Sequence, residues 1–144
     1  MTTLHKVLVK ELMIADPVTI HVGAPFSRVW EIFQARHIRH LPVVDDQGVL
    51  RGIITQRDLY RLISPRRTMD GLSVYDKNEL DAFMLEHVMT KEVVTLAPEA
   101  ALGAAIDLMV NKRYGCIPIV DAKRVLVGIV TQIDALKAVA RFFV

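Results

Sequence analysis

The sequence has little cysteine and no long apolar run. Its single thiol, Cys116, cannot form a disulfide within the chain, and no group of cysteine and histidine residues has the spacing of a structural zinc site. We therefore expect a reducing, cytoplasmic compartment and no metal site. Apolar stretches such as Val125 to Val130 fall far short of the roughly 20 residues that span a bilayer. Membrane insertion and secretion are not expected.

The sequence also has little excess of either positive or negative charge. Eighteen Lys and Arg residues stand against sixteen Asp and Glu residues, a formal net charge of +2. This bias is too weak to indicate nucleic acid or an anionic membrane as a partner. Of the 144 residues, 52% are hydrophobic and 24% are charged, which excludes a disordered chain and suits one ordinary domain or two very small ones.

The most informative feature is an internal repeat. Residues 13–60 align without a gap on residues 89–136, an offset of 89 − 13 = 76. The 14 identical pairs over these 48 positions include Pro42/Pro118, Gly52/Gly128 and Asp58/Asp134. Two copies of this length predict two small units packed about a pseudo-twofold axis rather than a solenoid.

Each copy has the order strand, helix, strand, strand, helix, so we predict an α+β fold of two β-α-β-β-α repeats. The first repeat with a leading helix spans residues 1–64, a connecting loop spans 65–81, and the second repeat spans 82–144. In the first copy, Val29, Ile32 and Phe33 have the spacing of an amphipathic helix within Pro25 to Ile38.

Turn formers predict where these elements end. Asp45 to Gly48 predicts a hairpin turn, which Ala122-Lys123-Arg124 indicates less strongly in the second copy. Gly115 is placed to end the helix after Lys112 and Arg113. The segment from Ser64 to Asp81 predicts an irregular loop, and short leading helices are expected over Leu4 to Met13 and Leu80 to Met89.

A Thr-x-x-Asp segment follows a strand in both copies, at Thr55 to Asp58 and at Thr131 to Asp134. One interpretation is a capping box, in which the hydroxyl and the carboxylate satisfy free backbone N–H groups at the start of a helix. The other is a nucleotide site. A helix start and a threonine hydroxyl suit a phosphate, and a carboxylate can accept hydrogen bonds from a ribose diol.

The two copies differ in charge next to this segment. The first copy has Arg39, His40 and Arg57. Gly115, Cys116 and Ile133 occupy the corresponding positions of the second copy. Because arginine pairs with phosphate through forked, charge-assisted hydrogen bonds, the first copy is the better candidate for holding a polyphosphate. The alternative is that these charges are solvated helix ends.

Three ordered motifs in each copy resemble a tandem pair of CBS domains, a Bateman module. The motifs are residues 13–20, 40–45 and 52–58 in the first copy and residues 89–96, 116–121 and 128–134 in the second. The segments 38–42 and 114–118 are also similar to the CBS part of acetoin-utilisation regulatory proteins. The resemblance covers nearly the whole chain.

The resemblance implies two clefts between the repeats that bind adenosine-containing ligands, and modules that associate into homodimers. Carried over by position, Asp58 and Asp134 would bind ribose hydroxyls, and Thr55 and Thr131 would bind phosphate. Arg39, His40 and Arg57 are further phosphate candidates. The residues expected to flank the base or shape the pocket walls are Thr19, Ile20, Thr95, Leu96, Pro42 and Pro118.

The leading hypothesis is a non-enzymatic sensor. It requires no cofactor, binds AMP, ADP or ATP as a regulatory ligand, and passes the signal to a regulated partner protein that the sequence does not name. The alternative is a ligand-free interaction or dimerisation module, with self-association through Phe142-Phe143-Val144.

Nucleic-acid binding through Arg61, Arg66, Arg67 and the cluster from Arg36 to His40 is the weaker hypothesis, since interleaved aromatic residues are absent there. An enzyme is disfavoured because no acid and base pair is visible. Cys116 lies on a predicted buried strand, which suits a core residue better than a nucleophile.

Overall fold

The computed structural model describes residues 7–62, 66–67, 73–74 and 77–143. The described residues form two compact units. The first-repeat unit comprises the segments Val18–Asp46 and Arg51–Glu92. The second-repeat unit comprises the described residues of Met1–Pro17, Gln47–Leu50 and Val93–Val144. The first-repeat unit therefore includes the segment that precedes the second repeat in the sequence, and the second-repeat unit includes the segment that precedes the first repeat.

The strands and helices follow the predicted order in the first repeat, whereas the predicted first strand of the second repeat is reduced to a single parallel bridge from Leu96 to Ile119. The strands are β1 (Ile14–Ala15), β2 (Ile20–His21), β3 (His40–Val44), β4 (Leu50–Thr55), β5 (Arg66–Arg67), β6 (Ser73–Val74), β7 (Cys116–Val120) and β8 (Leu126–Thr131). The helices are α1 (Ser27–Ala35), α2 (Gln56–Leu62), α3 (Lys77–Asp81), α4 (Leu85–Val88), α5 (Leu102–Lys112) and α6 (Gln132–Phe143). The α+β class is confirmed.

The first-repeat unit contains a three-stranded sheet in the order β2, β3, β4. Strand β2 runs parallel to β3, with Ile20 opposite Val43. Helix α1 buries Val29, Ile32 and Phe33 as their spacing predicts, because these residues recur on one side of the helix. The helix is shorter than the predicted range, since the backbone of Arg36 is already extended.

The second-repeat unit contains a three-stranded sheet in the order β1, β8, β7. Its two long strands are antiparallel, with Cys116 opposite Thr131. Helix α5 ends after Lys112, as predicted, but Gly115 does not end it. Arg113 itself adopts the left-handed conformation, with φ of 60°.

The turn between β7 and β8 forms even though the second copy lacks the glycine of the first. Arg124 has φ of 63° where the first copy has Gly48, whose φ is 78°. Asp121 supports this turn because its Oδ1 accepts hydrogen bonds from the N–H groups of Lys123 (2.8 Å) and Val125 (3.0 Å). The weak turn prediction is thus resolved in favour of a hairpin.

The leading and connecting segments differ from the sequence predictions. The segment expected as a helix over Leu4 to Met13 contains, in its described part, a 3-10 helix at Val9–Glu11. The predicted helix over Leu80 to Met89 is divided, because α3 ends at Asp81 and α4 begins at Leu85. The connecting segment is not wholly irregular, since β5 pairs with β6 and α3 begins at Lys77. Its other residues lie outside the described part.

A glycine in each repeat lets a neighbouring segment lie against the sheet. A Cβ atom on Gly52 would lie 2.7 Å from the carbonyl oxygen of Thr90 and 2.7 Å from the sulfur of Met89. A Cβ on Gly128 would lie 3.0 Å from the carbonyl oxygen of Ile14 and 2.5 Å from the sulfur of Met13. Both glycines are therefore required by close packing within their own units.

We predict that Gly52→Ala and Gly128→Ala each destabilise the fold by about 1–3 kcal/mol, because the added methyl group overpacks against backbone that cannot rotate away. Denaturant unfolding measures the loss. Gly103→Ala is the matched control, since nothing lies within 4 Å of a Cβ at this position on α5. That control should equal or exceed the wild type in stability, because alanine favours a helix over glycine. Equal stability of all three variants would contradict the packing role.

Candidate functional site

The Thr55–Asp58 segment forms the reciprocal bonds of a capping box. The backbone N–H of Thr55 donates to Oδ2 of Asp58 at 2.9 Å, and the backbone N–H of Asp58 donates to Oγ1 of Thr55 at 3.1 Å. These bonds satisfy backbone donors at the junction of β4 and α2 and hold both side chains in place. The capping prediction is confirmed here.

The Thr131–Asp134 segment has the same backbone bonds and one more between its side chains. The backbone N–H of Thr131 donates to Oδ2 of Asp134 at 2.9 Å, and the backbone N–H of Asp134 donates to Oγ1 of Thr131 at 3.3 Å. In addition, the hydroxyl of Thr131 donates to Oδ2 of Asp134 at 2.8 Å. The two copies therefore differ in how the threonine proton is used.

The capping bonds leave one oxygen of each carboxylate without a hydrogen bond to the described residues. All the hydrogen bonds of Asp58 and Asp134 given above use Oδ2, and Oδ1 of neither residue accepts one within the described ranges. Both carboxylates are part-buried. The capping and ligand-binding interpretations are therefore compatible, because one oxygen accepts the backbone bond while the other keeps its lone pairs for a hydroxyl.

His40 lies close enough to both Arg39 and Asp58 in the first-repeat unit for their charges to act on its ring. The backbone N–H of Gln56 donates to the carbonyl of Arg39 at 2.9 Å, which joins the start of β3 to the start of α2. The pKa of His40 is below its usual value of 6.5 because burial disfavours the charged ring and Arg39 repels it, although Asp58 acts in the opposite direction. We call Arg39, His40, Thr55, Arg57 and Asp58 the first half-site.

Cys116 occupies the position of His40 in the second-repeat unit. Its Cα lies opposite that of Thr131, and its side chain is 8% exposed. Burial, with a smaller contribution from the charge of Asp134, raises the pKa of the thiol to about 12. We call Cys116, Thr131, Ile133 and Asp134 the second half-site.

Sequence reasoning assigned Cys116 to the core and missed its position beside the acid. The alignment with His40, a candidate site residue, was the signal that could have placed it there.

The arginines of the first half-site are exposed and have no counterion in the part of the chain that the structure describes. Arg39 precedes β3, and Arg57 lies in the first turn of α2. Neither side chain takes part in the ion pairs or hydrogen bonds found among the described residues. Ile133, which corresponds to Arg57, is 59% exposed.

The remaining candidate residues lie on or next to the strands. Thr19 is half-buried before β2, whereas Ile20 packs in the core, so only its backbone is available to flank a base. Thr95 is half-buried, and Leu96 pairs with β7 through the hydrogen bond from its N–H to the carbonyl of Pro118 at 3.2 Å. The corresponding wall candidates, Pro42 and Pro118, are both buried.

An apolar cavity of about 220 Å³ lies between α5 and α6 of the second-repeat unit. Its lining residues are Ile106, Met109, Val110, Gln132, Ala135, Leu136 and Val139. Helical spacing puts Gln132, Ala135, Leu136 and Val139 on one side of α6 and Asp134 on the opposite side. The cavity is therefore separate from the second half-site and contains none of the predicted site residues.

The described residues were also compared with the requirements of a metal site and of a membrane span; the findings hold for residues 7–62, 66–67, 73–74 and 77–143. These residues contain no group of three or more histidine, cysteine, aspartate or glutamate side chains arranged to hold a metal ion. Among the described helices, none has both the length and the apolar character needed to span a membrane.

The chain belongs to the CBS domain family, which matches it twice, at residues 9–65 and 85–141. A CBS domain-containing protein of Dictyostelium discoideum is 35% identical over 136 residues, which are 91% of this chain and 90% of that protein. The homoserine O-acetyltransferase of Methanohalobium evestigatum is 28% identical over 134 residues, 93% of this chain but only 24% of that protein. The chain thus spans about a quarter of such longer relatives.

Solved structures include CBS pairs of the same fold. A protein described as an acetoin utilization protein from Vibrio cholerae has a TM-score of 0.77 and 29% identity, covering 95% of this chain and 93% of its own. The CBS domain pair of protein MJ0100, solved with 5′-methylthioadenosine and S-adenosyl-L-methionine, has a TM-score of 0.73 and 28% identity, with 95% of each chain covered. CBSX2, solved with AMP, shares the fold with a TM-score of 0.79 at 20% identity, covering 96% of this chain and 99% of its own.

We predict that the thiol of Cys116 resists alkylation in the folded protein. At pH 8 a thiol with a pKa near 12 is almost wholly protonated, and only the thiolate is nucleophilic. Mass spectrometry after treatment with iodoacetamide should show modification in denaturant and almost none without it. Rapid labelling of the native protein would contradict this environment and reopen the question of a reactive cysteine.

Proposed function

We propose that this chain is a non-enzymatic regulatory module that binds adenosine-containing ligands, most simply AMP, ADP or ATP, at its two half-sites. The observation that carries the proposal is the arrangement of Asp58 and Asp134, in which one carboxylate oxygen is fixed by capping bonds and the other is left for a ligand. The MJ0100 complex supports the ligand class, because that pair, 28% identical, holds adenosine-containing compounds.

The proposed roles follow the chemistry of each group. A carboxylate oxygen can accept hydrogen bonds from a ribose diol, and the threonine and arginine side chains can donate to phosphate oxygens. We assign ribose to Asp58 and Asp134, and phosphate to Thr55 and Thr131 with Arg39, His40 and Arg57. Thr19, Ile20, Thr95 and Leu96 are proposed to flank the base, and Pro42 and Pro118 to shape the walls.

The proposed output is a signal to a regulated protein. A ligand shifts a conformational equilibrium only when it binds one arrangement more tightly than another, so the partner must distinguish the liganded from the free module. We assign no catalytic residue, no cofactor requirement and no membrane or nucleic-acid role to the chain, and we expect it to act in the cytoplasm. The boundaries 1–64, 65–81 and 82–144 stand as the proposed division.

We predict that Asp58→Ala and Asp134→Ala each weaken adenosine-ligand binding at one half-site by about 10- to 100-fold. A hydrogen bond to a charged group contributes about 1.5–3 kcal/mol, and about 1.4 kcal/mol corresponds to a tenfold change in affinity. A thermal-shift panel of AMP, ADP, ATP and 5′-methylthioadenosine selects the ligand, since binding to the native state raises its stability. Calorimetric titration of each variant then measures affinity and stoichiometry.

Two controls separate binding from capping. Glu31→Ala and Asp107→Ala remove carboxylates at corresponding exposed positions of α1 and α5, outside both half-sites, and should bind as the wild type does. Denaturant unfolding without ligand measures the loss of each cap, about 1 kcal/mol. A loss of stability without a loss of affinity in the Asp variants would reduce Thr-x-x-Asp to a cap and contradict the proposed function.

A second candidate function, self-association, is favoured by the exposed apolar face of α5 and α6. Val110 is 70% exposed and Leu136 is 64% exposed at the rim of the apolar cavity. The corresponding positions of the first repeat are Gln34 and Tyr60, so the face is more apolar in the second repeat. We propose that a second copy of this chain covers it, because one apolar face on each copy is self-complementary in a twofold dimer.

We predict that the chain sediments as a homodimer and that Val110→Asp or Leu136→Asp shifts it to a monomer, since a charge would be buried against an apolar partner surface. Gln34→Asp is the matched control on the first repeat and should remain dimeric. Sedimentation velocity at several concentrations measures the equilibrium. A monomeric wild type, or Asp variants that still dimerise, would contradict this use of the face.

A further inference from the structure

The two half-sites share a backbone arrangement and differ in the groups that face a ligand. At an offset of 76 residues, Arg39 and Arg57 of the first half-site correspond to Gly115 and Ile133 of the second-repeat unit. Other cations, such as Arg61 and Lys137, occur at corresponding positions of both repeats, so they do not distinguish the two. The first half-site therefore has two guanidinium groups with no equivalent in the second.

The side chains of these two arginines are available to bind an anion. Neither is paired within the described residues, and both are exposed. Their two positive charges exceed the single negative charge of Asp58, so the first half-site has a net positive formal charge that favours a phosphate group. At the second half-site an incoming phosphate would meet Asp134 with no cation at the corresponding positions, and like charges repel.

The threonine hydroxyls differ in the same direction. The proton of the Thr131 hydroxyl is donated to Oδ2 of Asp134 at 2.8 Å. Phosphate oxygens accept hydrogen bonds, so Thr131 would have to give up this bond in order to bind one. The hydroxyl of Thr55 accepts from the N–H of Asp58, which leaves its own proton for a phosphate oxygen.

The third difference is polarity. Cys116 presents a buried thiol that stays protonated, and Ile133 presents an exposed aliphatic side chain, where the first half-site has an imidazole and a guanidinium. An uncharged thiol and an aliphatic group suit an apolar 5′ substituent on the ligand rather than a phosphate.

We infer that the two half-sites select different classes of adenosine ligand: a 5′-phosphorylated one at the first, and an unphosphorylated one with an apolar 5′ substituent at the second. This inference rests on the proposed function. It adds that a single chain binds two chemical classes of ligand, because the charged groups belong to the first half-site and the apolar groups to the second.

The test uses AMP and 5′-methylthioadenosine as probes in calorimetric titrations of the full chain. AMP binding should weaken about 10- to 100-fold in Asp58→Ala and stay unchanged in Asp134→Ala, and methylthioadenosine binding should show the reverse. Arg57→Ile should weaken AMP at least tenfold and leave methylthioadenosine unchanged. Arg28→Ile, an exposed arginine on α1 paired with Glu31, is the matched control and should change neither ligand.

A variant that gains AMP binding is also needed, because a variant that loses binding could simply be unfolded. Ile133→Arg should raise the number of AMP molecules bound per chain from one to two and lower the affinity for methylthioadenosine. The inference is overturned if AMP occupies both sites of the wild type with equal affinity, or if Asp58→Ala rather than Asp134→Ala weakens methylthioadenosine binding. Either result leaves the proposed function intact, whereas the absence of binding by both probes at millimolar concentration rejects both.

Discussion

The structure depends on a close approach of backbone that only glycine allows. At Gly52 the sheet lies against Met89, and the neighbouring Ile53 and Thr90 exchange backbone hydrogen bonds of 3.0 and 2.9 Å. The equivalent approach at Gly128 brings β1 onto β8. Because the segment that precedes each repeat completes the unit built from the other repeat, neither repeat contains all the residues of its own core.

This constraint fixes the position of the candidate site. Gly52 and Thr55 lie on the same strand, and the residues between them, Ile53 and Ile54, are buried. The end of the strand cannot shift without disturbing the sheet, so the capping bonds form at a defined place. The ligand role proposed for Asp58 does not compete with its capping role, because capping uses Oδ2 and leaves Oδ1. A side chain held by its structural bonds loses little further entropy when a ligand binds.

The repeat made much of the fold predictable from the sequence. Two copies of one pattern gave two readings of each element, so the strands around Pro42 and Pro118 and the helices after Thr55 and Thr131 could be placed with bounds close to those observed. The capping bonds were predictable for the same reason. The pattern says nothing about which segment completes which sheet, since that pairing depends on packing against Gly52 and Gly128 rather than on local periodicity.

The misplaced elements also have physical causes. Gly115 was expected to end α5 because glycine adopts positive φ at little cost, yet Arg113 takes that conformation. The segment from Leu80 to Met89 has helical spacing but is interrupted between Asp81 and Leu85, where Phe83 packs against Phe26 with ring centroids 5.7 Å apart. Tertiary contacts therefore overrode local preference at this position.

The residues proposed to set ligand preference differ from those that hold the fold, so one scaffold could hold the two unlike sites that we propose. Thr55, Asp58 and Gly52 are tied to backbone bonds and close packing, so a change at any of them affects folding as well as binding. The side chains of Arg39 and Arg57 are exposed and make no hydrogen bond or ion pair within the described residues, so their replacement costs the fold little. Ligand preference can therefore differ between the repeats at these positions while the capping geometry stays the same.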